Sequence, residues 1–465
     1  VRRHWHALHE FTRLMAVGLV AFAAESASGG SADPLWFLPQ QVFDGGTGPG
    51  GVDAADFNGD GRLDLAITNS NAGSVSVLFG TTIPGSSIVA FAVRASFSTG
   101  DSPVSLSTMD VNGDGRSDLV VANYVGDNVS VLLNTTDPCA TVPSFASGQT
   151  FATGSFPIAM TMTDVNGDEK SDIVAANYGD GTLSVLVNLT ASGATKAAFA
   201  MQNVFPAGSN PFSVTSADIN TDGRPDLVVA SGDVASVLLN TTPPGAMEPE
   251  FAPEETITSG SFLIAVAAAD FNDDGLADLV IADSYEDVVS VLVNATSPGA
   301  GAAVFAPPQI FAVGDQAEAV IAADVDLDGR PDIVAANTFD GTASVLVNRT
   351  IGGASVLDFA EQTHWSTGAA PDALAVADIN GDGRLDLITA NYADATASVL
   401  LNGGHHIFAN GFDLAEGRRA IAAPYCVKRE IESRFVNPGS VRAEVAERTE
   451  PDQRASAGSI GRQED

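Results

Sequence analysis

The sequence predicts an all-β fold, a seven-bladed β-propeller with four antiparallel strands in each blade. Three observations predict it. A nine-residue acidic pattern, D-x-[ND]-x-D-[G]-x-x-D, begins at Asp56, Asp110, Asp164, Asp218, Asp270, Asp324 and Asp378. The intervals are 54, 54, 54, 52, 54 and 54 residues, and self-similarity at a fixed period is the signature of a repeat architecture. Short runs rich in β-branched residues follow each copy, too brief for helices. Four such strands cannot bury both faces alone, so the units must stack, and radial stacking of four-stranded units makes a propeller. A linear β-solenoid is the alternative, but its repeats are normally shorter.

Within a unit, the first run after the acidic pattern is apolar, as in Leu119-Val120-Val121-Ala122 and Ile333-Val334-Ala335-Ala336. A polar turn separates it from a second, alternating run such as Val129-Ser130-Val131-Leu132-Leu133. A Ser/Thr/Pro/Gly linker follows, for example Asn240-Thr241-Thr242-Pro243-Pro244-Gly245. Beyond it lies a third extended stretch ending in Phe, as at residues 145–151 and 305–311. A Gly-x-x-Pro-type turn (154–157, 368–371) leads to a fourth strand, which enters the next acidic loop. The first unit begins at its third strand, near residues 36–43, and the last ends after its second, near Asn402. The N-terminal strand is therefore expected to complete the last blade, with residues 407–412 as the competing strand.

Residues 1–27 read as a secretory signal peptide. Arg2, Arg3 and Arg13 precede a short apolar run at 14–24, and small residues follow. That run is too short to span a bilayer, and no other segment is apolar enough to do so. The repeats occupy 32–404, and 405–465 form a C-terminal extension, expected to be largely disordered. Cys139 and Cys426 lie far apart and build neither a disulfide framework nor a CxxC metal site. Formal net charge is −37, from 58 acidic and 21 basic residues. Such an excess argues against a nucleic-acid partner, which would require clustered Lys and Arg.

The acidic loops carry the chemistry. In the first, Asp56, Asn58, Asp60 and Asp64 put side-chain oxygens at positions 1, 3, 5 and 9, and position 7 can offer its carbonyl. The same places hold Asp110, Asn112, Asp114 and Asp118; then Asp164, Asn166, Asp168 and Asp172; then Asp218, Asn220, Asp222 and Asp226. They hold Asp270, Asn272, Asp274 and Asp278; then Asp324, Asp326, Asp328 and Asp332; and finally Asp378, Asn380, Asp382 and Asp386. An all-oxygen set with Gly at position 6 suits Ca²⁺, whereas Mg²⁺ wants stricter geometry and zinc softer ligands. A strand follows at once and no Glu stands at position 12, so these are not EF-hands. A plain Asp/Asn/Gly turn explains position 6, but not carboxylates at 1, 5 and 9 in every copy. Up to seven Ca²⁺ are expected. The third site is the doubtful one, because Glu169 replaces the Gly of the other six, and the sixth is the most anionic through Asp326.

The stretches DVNGDGRSDLVVANYVGDNVSVLLN (110–134) and DINGDGRLDLITANYADATASVLLN (378–402) resemble FG-GAP-like repeats, also called VCBS repeats. These occur in bacterial secreted proteins and are related to the N-terminal propeller of the integrin α-chain. The resemblance covers about residues 36–402. It implies a propeller with calcium in the loop joining the first two strands of each blade. It does not fix a role, since the family serves adhesion, polysaccharide binding, toxin-associated scaffolding and some lyases.

Successive hairpin turns of a blade alternate between the faces of the disc, so the turn after the "VVAN" strand lies opposite the acidic loops. Tyr124, Tyr178, Tyr285, Tyr392 and Phe339 fall in that turn, beside Asn123, Asn177, Asn337 and Asn391. The ring could stack sugars or grip a peptide; the plainer reading packs each aromatic over its own turn. Five Asn-x-Thr triplets, at Asn134, Asn188, Asn240, Asn294 and Asn348, read as strand-end turns or as glycosylation acceptors. No nucleophile motif surrounds His364, His405 or His406, so the chain is not expected to be an enzyme. The expectation is a monomeric calcium-binding propeller, secreted to the medium or cell surface, with the periplasm as the alternative compartment. It would act as a binding or adhesion module for a protein or glycan. The alternatives are a propeller-fold polysaccharide lyase or other carbohydrate-active enzyme, and a purely structural scaffold of a surface assembly.

Overall fold

The computed structural model describes residues 35–405, which fall in one compact unit beginning at Leu35. The expected signal peptide, the expected competing strand at 407–412 and the extension beyond His405 lie outside the described residues. Two short strands come first, β1 (Leu35–Phe37) and β2 (Gln41–Asp44). The first repeat supplies β3 (Pro49–Ala55), β4 (Asp64–Asn69), β5 (Ser74–Leu78) and β6 (Ala95–Ser98). The second gives β7 (Pro103–Met109), β8 (Asp118–Asn123), β9 (Asn128–Leu132) and β10 (Gln149–Ala152). The third gives β11 (Pro157–Thr163), β12 (Asp172–Asn177), β13 (Thr182–Leu186) and β14 (Asn203–Pro206). Then follow β15 (Ser213–Ala217), β16 (Asp226–Leu238), β17 (Glu255–Ala269), β18 (Asp278–Asp283), β19 (Val288–Leu292) and β20 (Gln309–Ala312). The chain continues with β21 (Ala317–Ala323), β22 (Asp332–Asn337), β23 (Thr342–Leu346) and β24 (Thr363–Ser366). It ends with β25 (Pro371–Ala377), β26 (Asp386–Asn391), β27 (Thr396–Leu400) and β28 (Asn402–His405).

The fold is an all-β propeller of four-stranded antiparallel blades, but among the described residues the hydrogen-bonded blades number six, not the seven expected. Five sheets have four strands, and one, ordered β15-β16-β17-β18-β19-β20, has six. The cause lies in the one 52-residue interval. The fourth repeat is two residues short at its turn, where Ser231-Gly232-Asp233 stays within the strand, with Gly232 left-handed (φ 67°), so β16 runs through two strand positions. Likewise β17 runs without a break from the outer strand of the fourth repeat into the inner strand of the fifth. Register breaks between Gly232 and Val234 and between Ala235 and Ser236 absorb the change. Two repeats thus share one sheet.

Burial explains why the strands differ in pattern. The second strand of a repeat is buried at all six positions, as in β4, β8, β12 and β22. A strand covered on both faces reads as a continuous apolar run. The outer strands β6, β10 and β14 alternate between half-buried and exposed residues, the period of two for a one-sided strand. Between the sheets, side chains from adjacent repeats interdigitate, for example Val120 and Val131 with Ile173 and Leu186.

Inner strands of successive repeats pack side by side, from β3 against β7 round to β25 against β3, which closes the ring. The N-terminal strand makes the closure: β2 pairs with β27, from Gln41 opposite Val399 to Asp44 opposite Thr396. A second clasp, β1 with β28, sets Leu35 opposite His405. Cys139 is disulfide-bonded, which the spacing of the cysteines did not lead us to expect. Among the described residues no helix is long and apolar enough to cross a membrane.

Candidate functional site

Every acidic loop joins the first and second strands of its repeat and is wired in the same way. Asp56 accepts the N–H of Asp60 (3.1 Å) and of Gly61 (2.8 Å) on its two oxygens. Asp110, Asp164, Asp218, Asp270, Asp324 and Asp378 do the same. Position 5 accepts the N–H of position 7, as Asp60 does from Arg62 at 2.9 Å. Position 9 staples the loop to the rest of its blade: Asp64 accepts from Phe57 N–H (2.8 Å) and from Gly80 N–H (2.7 Å) beyond the third strand. Asp118, Asp172, Asp226, Asp278, Asp332 and Asp386 repeat this pair.

The position-9 carboxylates are fully buried. Burial pushes their pKa up to about 7 in Asp64, Asp172, Asp278, Asp332 and Asp386, and to about 6 in Asp118 and Asp226. Backbone donors oppose the shift, while the neighbouring carboxylates of the same loop add to it. The loops are not bare acid clusters, however. Arg62, Arg116, Arg224, Arg330 and Arg384 at position 7 pair with the position-5 carboxylate of their own loops. In five of the loops, then, an arginine of the loop itself already offsets one carboxylate.

Glu169 has a φ of 68°, so the third loop does hold a side chain in the left-handed region where the other six have glycine. It is not alone in this. Position 4 is also left-handed, and there Thr221 (50°), Asp273 (52°) and Leu327 (62°) replace glycine in the fourth, fifth and sixth loops. Backbone strain therefore does not single out the third site.

The linkers turn out to be part of the site. In six loops the position-3 Asn donates its amide to a linker carbonyl of the neighbouring repeat: Ala140 from Asn58, Ala194 from Asn112, Ala246 from Asn166. Asn220, Asn272 and Asn380 reach Ala300, Ala354 and Ser86. A linker N–H returns to the same Asn carbonyl, as Cys139 does to Asn58 at 2.7 Å. For the sixth loop the corresponding linker would come after His405, outside the described residues. There Asp326 stands in place of Asn, without the amide donor. Asp324, Asp326 and Asp332 bring one oxygen each within 4.8 Å of one another.

The Asn-x-Thr triplets are clamps between repeats. Asn134 is buried and donates to Phe57 C=O (2.9 Å) in the preceding repeat and to Ser117 C=O (3.0 Å) in its own. Asn188, Asn240, Asn294 and Asn348 do likewise, and Asn402 continues the series. A folded chain cannot present these amides to a glycosylating enzyme.

On the opposite face the five aromatics are not equivalent. Tyr124, Tyr178 and Tyr392 directly follow the strand-end Asn; Tyr124 is buried and the other two are half-buried. Tyr285 and Phe339 stand one place further on and are 79% and 57% exposed. The accompanying Asn residues are buried and engaged. Asn123 donates to Asn128 Oδ1 and Ser130 Oγ, both at 2.8 Å, and accepts the Gly100 N–H. Asn177, Asn337 and Asn391 donate to Thr182 and Ser184, Thr342 and Ser344, and Thr396 and Ser398. These four strand-end amides are therefore not offered to a sugar, whereas Asn71 and Asn210 in neighbouring turns of this face are exposed.

Comparison with known proteins agrees with this geometry. The family described as FG-GAP-like repeat matches residues 110–175, 164–229, 222–281, 270–335 and 324–389, and the FG-GAP repeat matches 48–78. No curated protein matches the chain in sequence. Among solved structures, a crystal structure of BBS1N in complex with ARL6DN, soaked with mercury, is similar at TM-score 0.52 and 12% identity, over 79% of this chain and 97% of that one. The lead-soaked crystal of the same complex gives 0.49 and 13%, over 81% and 98%.

Proposed function

Since the chain belongs to the FG-GAP-like repeat family, we propose that it is a secreted, calcium-loaded propeller that works as a binding module and has no chemistry of its own. The sixth loop is the observation that carries the calcium reading. Its three converging carboxylates form an oxygen-only set of the kind a hard cation takes. In the other loops the ion would be held by Asp, Asn, Asp and Asp at positions 1, 3, 5 and 9, with the position-7 carbonyl. A bound Ca²⁺ would supply charge compensation for the buried position-9 carboxylate and a rigid link between two strands. The binding-module reading draws support from the fold. BBS1N, a chain of similar fold, is solved with a protein partner, ARL6DN.

Equilibrium dialysis of the full chain against millimolar Ca²⁺, followed by metal analysis, tests the reading. Six or seven ions per chain are expected, and the variant Asp324→Ala with Asp332→Ala should lose one. Binding of no calcium at millimolar concentration would reject it.

A further inference from the structure

On the turn face, ring contacts run from one repeat to the next. Tyr124 stacks on Phe156 with centroids 4.9 Å apart and planes at 23°. Tyr178 lies 6.5 Å from Tyr124 and 5.1 Å from Phe212, which in turn lies 5.1 Å from Phe262. Tyr285 stands in the next turn, after Ser284, whose N–H donates to Phe262 C=O. These contacts account for the burial of Tyr124, but they leave Phe156, Tyr178, Phe212 and Phe262 half-buried. An arc of partly open rings therefore crosses the second to fifth repeats.

Carboxylates fringe the arc. Asp127 accepts the Phe156 N–H (2.9 Å), Asp180 the Ser155 N–H (2.6 Å), and Glu286 the Ser261 hydroxyl (2.9 Å). Asp233, within β16, and Asp340, in the turn after β22, are exposed. Positive charge is almost absent here. Of the nine Lys and Arg in residues 35–405, six occupy position 7 of the acidic loops, and Lys196 and Arg349 sit in linkers on the same opposite face. Only Arg94, among the described residues, reaches the turn face, where it pairs with Asp44 at 3.2 Å. With the strand-end amides buried and Asn210 the exposed amide beside the arc, the fringe is dominated by carboxylates, which only accept hydrogen bonds. A partner that matches must donate and carry positive charge.

Building on the binding-module reading, we propose that this arc docks a cationic stretch of a partner polypeptide. Arg or Lys head groups would lie over the rings and pair with the flanking carboxylates, an arrangement that favours the planar guanidinium.

Fluorescence anisotropy of the full chain, in millimolar Ca²⁺ and physiological salt, tests the idea with a labelled Arg-Gly repeat peptide. A peptide with Gln in place of Arg and a neutral polysaccharide serve as comparison probes. The Arg peptide should bind and the Gln peptide should not. Tyr285→Ser, at a position exposed enough to leave the fold intact, should weaken binding about threefold to fivefold. Asp233→Asn with Glu286→Gln should weaken it about fivefold to tenfold. Asp137→Asn with Asp358→Asn, the same charge change on exposed linker residues, should leave it unaltered. Equal weakening by both charge pairs would mean diffuse attraction to an acidic protein and would overturn the proposal. Ring-dependent binding of the polysaccharide instead would also overturn it, yet would leave the binding-module reading standing. Binding of no probe would reject the cationic partner, with the metal analysis still judging the calcium-loaded module separately.

Discussion

At the scale of single residues, the chain spends its polar side chains on joining repeats. Asn188 is the type example: its buried amide spans Val111 C=O of one repeat and Ser171 C=O of the next. Asn188→Ala would leave both carbonyls without a donor in a dry site, and a loss of about 2–4 kcal/mol is expected. Denaturant unfolding checks this; a change below about 0.5 kcal/mol would contradict the clamp. Mass spectrometry of the chain expressed in a glycosylating host should find these triplets unmodified. Asp53 is a second case. Burial raises its carboxyl pKa, against the Thr108 hydroxyl and backbone donors. A raised native pKa means that the native state binds the proton more tightly than the unfolded chain does. Stability is therefore gained as pH falls through the native pKa towards 3.8, and lost as pH rises. Relative to Asp53→Asn, the wild-type protein should gain stability on acidification. A relative loss would show that the Thr108 donors, not burial, govern the site.

At the scale of elements, most of the strands were legible because each pattern has one physical cause. Twofold burial makes β8 continuously apolar, and one-sided exposure makes β10 alternate. The merging of the fourth and fifth repeats was not legible. Losing two residues could have tightened the turn at Ser231-Gly232-Asp233 or abolished it, and only pairing with β17 decides. The caps on the acidic loops were hidden too, since Asn58 and Ala140 lie 82 residues apart. The unequal exposure of the aromatics follows a one-residue offset: Tyr124 comes directly after Asn123, whereas Phe339 comes two after Asn337. The loops themselves allow a test. Glu169→Gly relieves a left-handed φ and should stabilise the chain by about 1 kcal/mol. If the third loop binds calcium, its affinity should rise as well. Destabilisation would mean that Glu169 makes a compensating contact.

At the scale of the whole molecule, the ring depends on its closing strands and on its charge. Removing β1 and β2 leaves β27 as an open edge beside the first repeat. A chain starting at Gly45 should lose hydrogen-exchange protection in β27 first, while retention of native protection there would show that closure is not needed. Charge poses the larger problem. Residues 35–405 gather acidic loops around one face, and each buries a carboxylate whose pKa has been driven towards neutrality. A bound cation, as we propose, would resolve that tension, and this is the claim from which the rest of the account follows. Thermal unfolding of the full chain in EDTA, then in Ca²⁺ titrated through about 10⁻⁴–10⁻³ M, tests it most directly. The expected result is a large rise in melting temperature that saturates with calcium and is reversed by EDTA. An identical melting temperature with and without calcium would show that the arginines and backbone donors hold the loops unaided, and the calcium-loaded propeller would have to be given up.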